Sequence, residues 1–223
     1  MPHSHRPLFL RPHQAFLFDM DGTLLNSIAV VERIWADWAV AHGLEPEVFL
    51  KTVHGIRAAD VIADLALPGV DPQKEAAELL RLEMEDVTGI VAVPGAVEFL
   101  HRLPAERWAI VTSAPRALAH RRMKAAGIPF PDIMVTGEEV ANGKPSPEGY
   151  LLGAKRLGVD PRQCVVFEDA VAGILAGEGA GAEVCVITAT HSSVYDTPHF
   201  SLASYDTLAA SVDGDGLLRL SHR

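Results

Sequence analysis

The chain is poor in cysteine, aromatic residues, positive charge and long apolar runs, and each scarcity removes a class of protein. Its two cysteines, Cys164 and Cys185, sit inside the apolar stretches "QCVVFED" and "EVCVITA". A disulfide-stapled secreted scaffold is thereby excluded, and small buried hydrophobes in a reducing cytoplasm are expected. Nineteen Lys and Arg stand against 29 Asp and Glu, a formal net charge of −10. A protein that works on nucleic acid or on an anionic membrane needs a basic face, so neither partner is expected. No stretch approaches the roughly 20 apolar residues of a membrane helix. The opening "MPHSHRPLFLRPHQ" lacks the block structure of a secretory signal, and residues 1–13 read as a flexible leader carrying His3, His5 and His13.

What the chain does have is hydrophobic mass. At 48% apolar over 223 residues it can build one substantial core and a second small one. Five short apolar runs, Ala15–Phe18, Trp108–Thr112, Ile133–Thr136, Cys164–Phe167 and Val184–Thr188, lack polar alternation, as strands covered on both faces do. Helical stretches ending at Gly127, Gly158 and Gly181 separate the last four. The alternation predicts an α/β fold with a doubly wound, Rossmann-like parallel sheet. The tail after Thr188 shows only turn signals and weak periodicity and is expected at the sheet edge.

The interval from Phe18 to Trp108 is far longer than a crossover needs, so something is inserted there. "SIAVVERIWADWAVAHG" carries Ile28, Val31, Ile34, Trp35 and Trp38 at helical spacing, with Asn26 or Ser27 placed to cap it. "RAADVIADLA" and "PQKEAAELLRLEMEDV" add two more helices. The organisation expected is a core of residues 14–26 and 92–223 around a helical insert of residues 27–91, with crossings near Asn26–Ser27 and Val93–Gly95.

The first strand ends in "DMDG". Asp19 and Asp21 repel each other unless a cation lies nearby, and a hard divalent ion relieves that repulsion. Asp-Gly is equally a plain turn signal. Three further strand ends bear on the choice. "WAIVTSAP" presents the hydroxyls of Thr112 and Ser113, "NGKPSPEGY" holds Lys144 ahead of a helix start, and "VVFEDAVAG" ends in Glu168 and Asp169. Each has a bland reading as a surface residue; together they gather acids, hydroxyls and one ammonium at the edge where open parallel sheets bind ligands.

"DMDGTLLNS", "VTSA", "GKPSP" and "FEDAVAG", in this order and spacing, resemble the four signature motifs of the haloacid dehalogenase superfamily. The helical insert after the first motif resembles the C1-type cap of its phosphoglucomutase-like subgroup, and "VHGIRAADVI", "VPGAVEFL" and "GKPSPEGYLLGAKRLG" are similar to its glycerol-phosphate and 2-deoxyglucose-6-phosphate phosphatases. The resemblance implies a Mg2+-dependent phosphatase acting on small sugar or polyol phosphates. Asp19 would be the nucleophile and Asp21 the general acid and base. Asp19, the Asp21 backbone carbonyl, Asp169 and Glu168 would form the metal set. Thr112 or Ser113, Lys144 and the backbone of Gly22 and Ala114 would hold the phosphate. Dehalogenases lack the second aspartate and need no metal, so Asp21 and the later acidic pair favour phosphoryl transfer.

The alternatives are a phosphomutase of the β-phosphoglucomutase kind, and a non-catalytic phosphate-binding module, which would be expected to have lost one of Asp19, Asp21, Lys144 or Asp169. In the insert, "TVHGIRAAD" offers His54 and Arg57 to the substrate; an ordinary histidine and a local salt bridge are the simpler readings. Arg116 after "SAP" reads as a solvated helix residue or a phosphate contact. A monomer is expected.

Overall fold

The computed structural model describes residues 9, 11–191 and 196–223. Six parallel strands form its main sheet: β1 (Ala15–Phe18), β4 (Trp108–Val111), β5 (Met134–Val135), β6 (Cys164–Glu168), β7 (Glu183–Ile187) and β8 (Phe200–Leu202), in the order β5-β4-β1-β6-β7-β8. The chain starts in the middle at β1, winds outward through β4 and β5, then returns to the other side for β6, β7 and β8. That is the doubly wound arrangement the apolar runs predict, with strand ends shifted by a residue or two.

Period-two alternation divides the strand residues between two cores. Phe16, Phe18, Ile110, Phe167 and Ile187 face α5 (Ala96–Leu100) and α6 (Arg116–Ala126). On that side Phe18 stacks on Phe167 with ring centroids 4.5 Å apart and meets Trp108 edge-on. Aromatic pairs of this kind contribute roughly 0.5–1.5 kcal/mol beyond their burial. Leu17, Val111, Val166 and Val184 face α7 (Glu148–Leu157) and α8 (Val171–Gly179), where Tyr150, Ala154 and Ile174 cover them.

Between β1 and β4 the chain builds α1 (Ile28–Ala41), α2 (Pro46–Phe49), α3 (Ala58–Asp64) and α4 (Pro72–Glu85). In α1 the buried stripe is Val30, Ile34, Trp35, Trp38 and Ala39, while Ile28 and Val31 turn toward the sheet's carboxyl edge. The chain leaves and re-enters the sheet through β2 (Leu25–Asn26) and β3 (Val91–Ala92), which pair antiparallel. The two crossings expected from the sequence are thus tied side by side.

The N-terminal expectation needs correction. Residues 1–8 and 10, including His3 and His5, lie outside the described residues. Arg11 and His13, however, are fastened to the sheet. Arg11 donates to Glu183 at 2.7 Å, and His13 is buried, with its backbone paired to Leu218 and its ring 3.1 Å from Glu183. A leader therefore cannot extend to residue 13. The tail supplies edge strand β8 and a separate hairpin of β9 (Leu208–Val212) and β10 (Leu218–His222). Among the described residues no helix is long and apolar enough to cross a membrane.

Candidate active site

The strand order reverses at β1, so the loops after β1, β4 and β6 diverge and leave a crevice at their carboxyl ends. Each loop brings one part of the site. Asp19 follows β1 directly, Thr112 and Ser113 follow β4, Glu168 closes β6, and Asp169 comes next. Lys144 enters from the segment between β5 and α7.

Lys144 binds these parts together. Its Nζ lies 2.5 Å from Asp19 Oδ1 and 2.6 Å from Glu168 Oε1, with all three side chains buried. Glu168 is fully engaged. Its Oε1 also accepts from Tyr150 Oη at 2.9 Å, and its Oε2 accepts from the backbone N–H groups of Asp169 and Ala170 at 2.9 and 3.0 Å. A carboxylate offers about four acceptor sites, and here all are filled. The carboxylate rests against the start of α8, where a Cβ on Gly173 would fall 1.6 Å from Oε1. Glycine at 173 is what lets helix and carboxylate share that space.

Asp19, Glu168 and Asp169 each offer an oxygen, and these oxygens all lie within 4.8 Å of one another. Three carboxylates face one ammonium, so two negative charges stand uncompensated. Burial is the main influence on Asp19; although Lys144 opposes it, Glu168 adds to the rise, and the carboxyl is pushed up to about 7. Asp169 is raised too, by burial and then by Glu168 and Asp19. Burial works against the Lys144 ammonium, but Asp19 and Glu168 together outweigh it and hold it above its ordinary value. A cluster of hard oxygens short of two positive charges fits a divalent cation. Asp19 Oδ2 and Asp169 Oδ2 take no hydrogen bond from the described residues.

Asp21 is held differently. Ser27 Oγ donates to its Oδ1 at 2.6 Å and Arg122 Nη1 at 3.0 Å, while Oδ2 takes no hydrogen bond from the described residues, and Asp21 lines the crevice. Ser27 stands at the N-cap of α1 but makes no capping bond; the side chain of Asn26 accepts from Ile28 N–H instead. Gly22 has φ +87°, and a Cβ there would lie 2.0 Å from Asp169 Oδ2. The turn after β1 can press against the acidic pair of β6 only because this residue is glycine.

The expected phosphate donors are only partly free. Gly22 N–H donates to Leu25 O at 2.7 Å and Ala114 N–H to Thr112 Oγ1 at 3.1 Å. The Gly22 N–H is taken up within the turn, which corrects its assignment as a phosphate donor, while Ala114 lines the crevice with Asp19. Thr112 and Ser113 line the same cavity as Asp19 and Asp21. Ser113 Oγ donates across to Gly55 O in the insert at 2.8 Å.

His54 also lines this cavity, with Nε2 3.5 Å from Glu32. Arg57 does not reach into it. Its guanidinium pairs with Asp60 at 2.6 Å and donates to the carbonyls of Val140 and Ala141 at 3.0 and 3.2 Å, joining insert to core. Arg116 pairs with Glu139 at 2.6 Å, away from the crevice.

Three participants escape a reading of motifs. Tyr150, Arg122 and Glu83 belong to helices rather than strand ends, and Arg122 and Glu83 meet only because α4 of the insert docks beside α6 of the core. A signal for Arg122 exists: with Leu118, Ala119 and Met123 it lies on the buried face of α6.

Comparison with known proteins agrees with this geometry. Residues 13–181 match the model of the haloacid dehalogenase-like hydrolases. Hexitol phosphatase A of Escherichia coli is 45% identical over 193 residues, spanning 84% of this chain and 87% of that protein. Glycerol-1-phosphate phosphohydrolase 1 of Saccharomyces cerevisiae is 36% identical over 203 residues, spanning 85% and 80%. A family hydrolase of Deinococcus radiodurans, crystallised with phosphate and sodium, superposes with a TM-score of 0.64 at 27% identity over 87% of this chain and 93% of that one. The chain belongs to the haloacid dehalogenase-like hydrolases.

Proposed function

We propose that this protein is a Mg2+-dependent phosphatase that hydrolyses small sugar or polyol phosphate monoesters through a phosphoryl group carried on Asp19. The observation that carries the reading is the pairing of the Asp19 carboxylate with Lys144 beside a second aspartate that lines the same crevice. Similarity to a hexitol phosphatase and a glycerol-1-phosphate phosphohydrolase supports the substrate class.

Asp19 Oδ2 attacks phosphorus, and the bond to the substrate's alkoxide oxygen breaks. Asp21, held by Ser27 and Arg122 through Oδ1, gives that oxygen a proton from Oδ2. In the second half Asp21 takes a proton from water as it attacks the phosphoryl group, freeing Asp19 and inorganic phosphate. Lys144 offsets the negative charge of two anions brought together. Mg2+, held by Asp19, Asp169 and the backbone carbonyl of Asp21, would neutralise the phosphoryl oxygens when bound. Glu168, part of the same acidic cluster, fixes Lys144 and stands in or beside the metal set.

The insert of residues 27–91 acts as a lid on the core of residues 14–26 and 92–223, hinged at the β2–β3 ribbon and closed by the Ser113–Gly55 and Arg57 contacts. Two buried cysteines, whose thiols burial pushes up, support a cytoplasmic setting.

Phosphate release from a panel of polyol and sugar phosphates, with Mg2+ and with EDTA, tests the reading. Metal-dependent release of free phosphate is expected, and conversion of β-glucose 1-phosphate to glucose 6-phosphate without phosphate release would establish the mutase instead.

A further inference from the structure

Arg122 is a buried guanidinium, 4% exposed, with more donors than partners. Nη1 reaches Asp21, but Nε and Nη2 make no hydrogen bond among the described residues. Nη2 stands 3.3 Å from Glu83 Oε2, close enough for an ion pair yet out of hydrogen-bond alignment. Nε and Nη2 are closed off from solvent, so the guanidinium acts as a buried positive charge behind the carboxylates of Asp21 and Glu83. Both side chains line the cavity that holds Asp19 and Asp21, which encloses about 100 Å³. A second cavity of about 540 Å³ shares Ala58, Glu83, Ser113 and Pro115 with the first. Glu83 therefore stands on the wall between the phosphate end and a larger space beyond.

We propose that Glu83, held in place by Arg122, forms a hydroxyl-binding subsite that selects polyol chains longer than glycerol. The inference rests on the phosphatase reading for the position of the phosphate. With phosphorus at Asp19 and the leaving oxygen at Asp21, the ester carbon emerges beside Arg122. A hydroxyl on the carbons that follow donates to Glu83, whose carboxylate Arg122 Nη2 steadies from 3.3 Å away. A hydrocarbon chain of equal length covers the same carboxylate without making that hydrogen bond. The open space past Glu83 admits the remaining carbons of a hexitol.

The test is an affinity ratio. In an Asp19→Asn background with Mg2+, where bound ester is not consumed, dissociation constants are measured calorimetrically for a hexitol phosphate and for hexyl phosphate. The hexitol ester is expected to bind about tenfold tighter or more, as a charged hydrogen bond is worth. Adding Glu83→Gln, which preserves shape, should cut that preference at least severalfold, and Glu83→Ala should abolish it, with thermal unfolding run alongside. If the alanine variant does not fold, the glutamine variant decides. A preference that survives Glu83→Gln, or no preference before the change, overturns the subsite. Failure of the phosphatase reading would show separately, as no phosphate release from any monoester by the unmodified enzyme.

Discussion

Ser27 Oγ donates a 2.6 Å hydrogen bond to Asp21 Oδ1, so the first residue beyond the ribbon that leads into the insert also holds a carboxylate of the core. In the proposed mechanism, hinge and proton donor are one hydrogen bond apart. Ser27→Ala removes that bond while Asn26 still supplies the helix cap. Loss of a hydrogen bond to a charged group costs about 1.5–3 kcal/mol. We expect kcat to fall roughly tenfold or more with KM little changed, measured by steady-state phosphate release.

Gly22 stands at φ +87° against Asp169. In Gly22→Ala the new methyl displaces the Asp169 carboxylate. Disturbing the support of a metal ligand typically costs 10- to 100-fold in affinity. The Mg2+ concentration for half-maximal activity should rise by about tenfold or more; an unchanged value would remove Asp169 from the metal set.

Tyr150→Phe isolates one hydroxyl. The ring stays beneath the Lys144 ammonium, 5.2 Å from Nζ to the centroid, but Glu168 Oε1 loses a donor. A stability loss of about 1–2 kcal/mol is expected from the urea midpoint, with the pairing of Lys144 to Asp19 retained and kcat reduced far less than by Lys144→Ala.

Asp19 carries a pH signature. Its carboxyl is raised from 3.8 to about 7 in the folded chain, first by burial. The native state then binds more protons than the unfolded one across that window, so this group's contribution to stability falls as pH rises from about 4 to 7. Bound Mg2+ offsets the effect. The difference in Tm between the metal-free enzyme and Asp19→Asn should shift in that direction between pH 4 and 7 and flatten with Mg2+; a difference that grows in the wild type's favour with pH would contradict it.

The parts legible in the sequence share a physical origin. β1, β4, β6 and β7 announce themselves because strands buried on both faces tolerate no polar alternation; Asp19 and Asp169 are readable because they follow those runs directly, and Lys144 because it is held between glycine and proline ahead of a helix start. Ser27 reads only as a helix cap, since nothing local reveals that its hydroxyl turns to Asp21. Arg121 and Arg122 look alike in "AHRRMKAA"; docking of α4 buries the second and leaves the first exposed. Gly22 reads as a free donor, but the turn commits its N–H to Leu25 O. The β9–β10 hairpin hides in a tail whose "DGDG" marks the turn between its strands.

The central claim is that phosphorus passes through the carboxylate of Asp19. The direct measurement is a single turnover with a polyol phosphate, quenched in acid and digested, with mass spectrometry of the peptide containing Asp19. A phosphoryl group on that aspartate, gained and lost at rates compatible with turnover and missing in Asp19→Asn, is the predicted result. Phosphate release at the full rate with Asp19 unmodified throughout would contradict it.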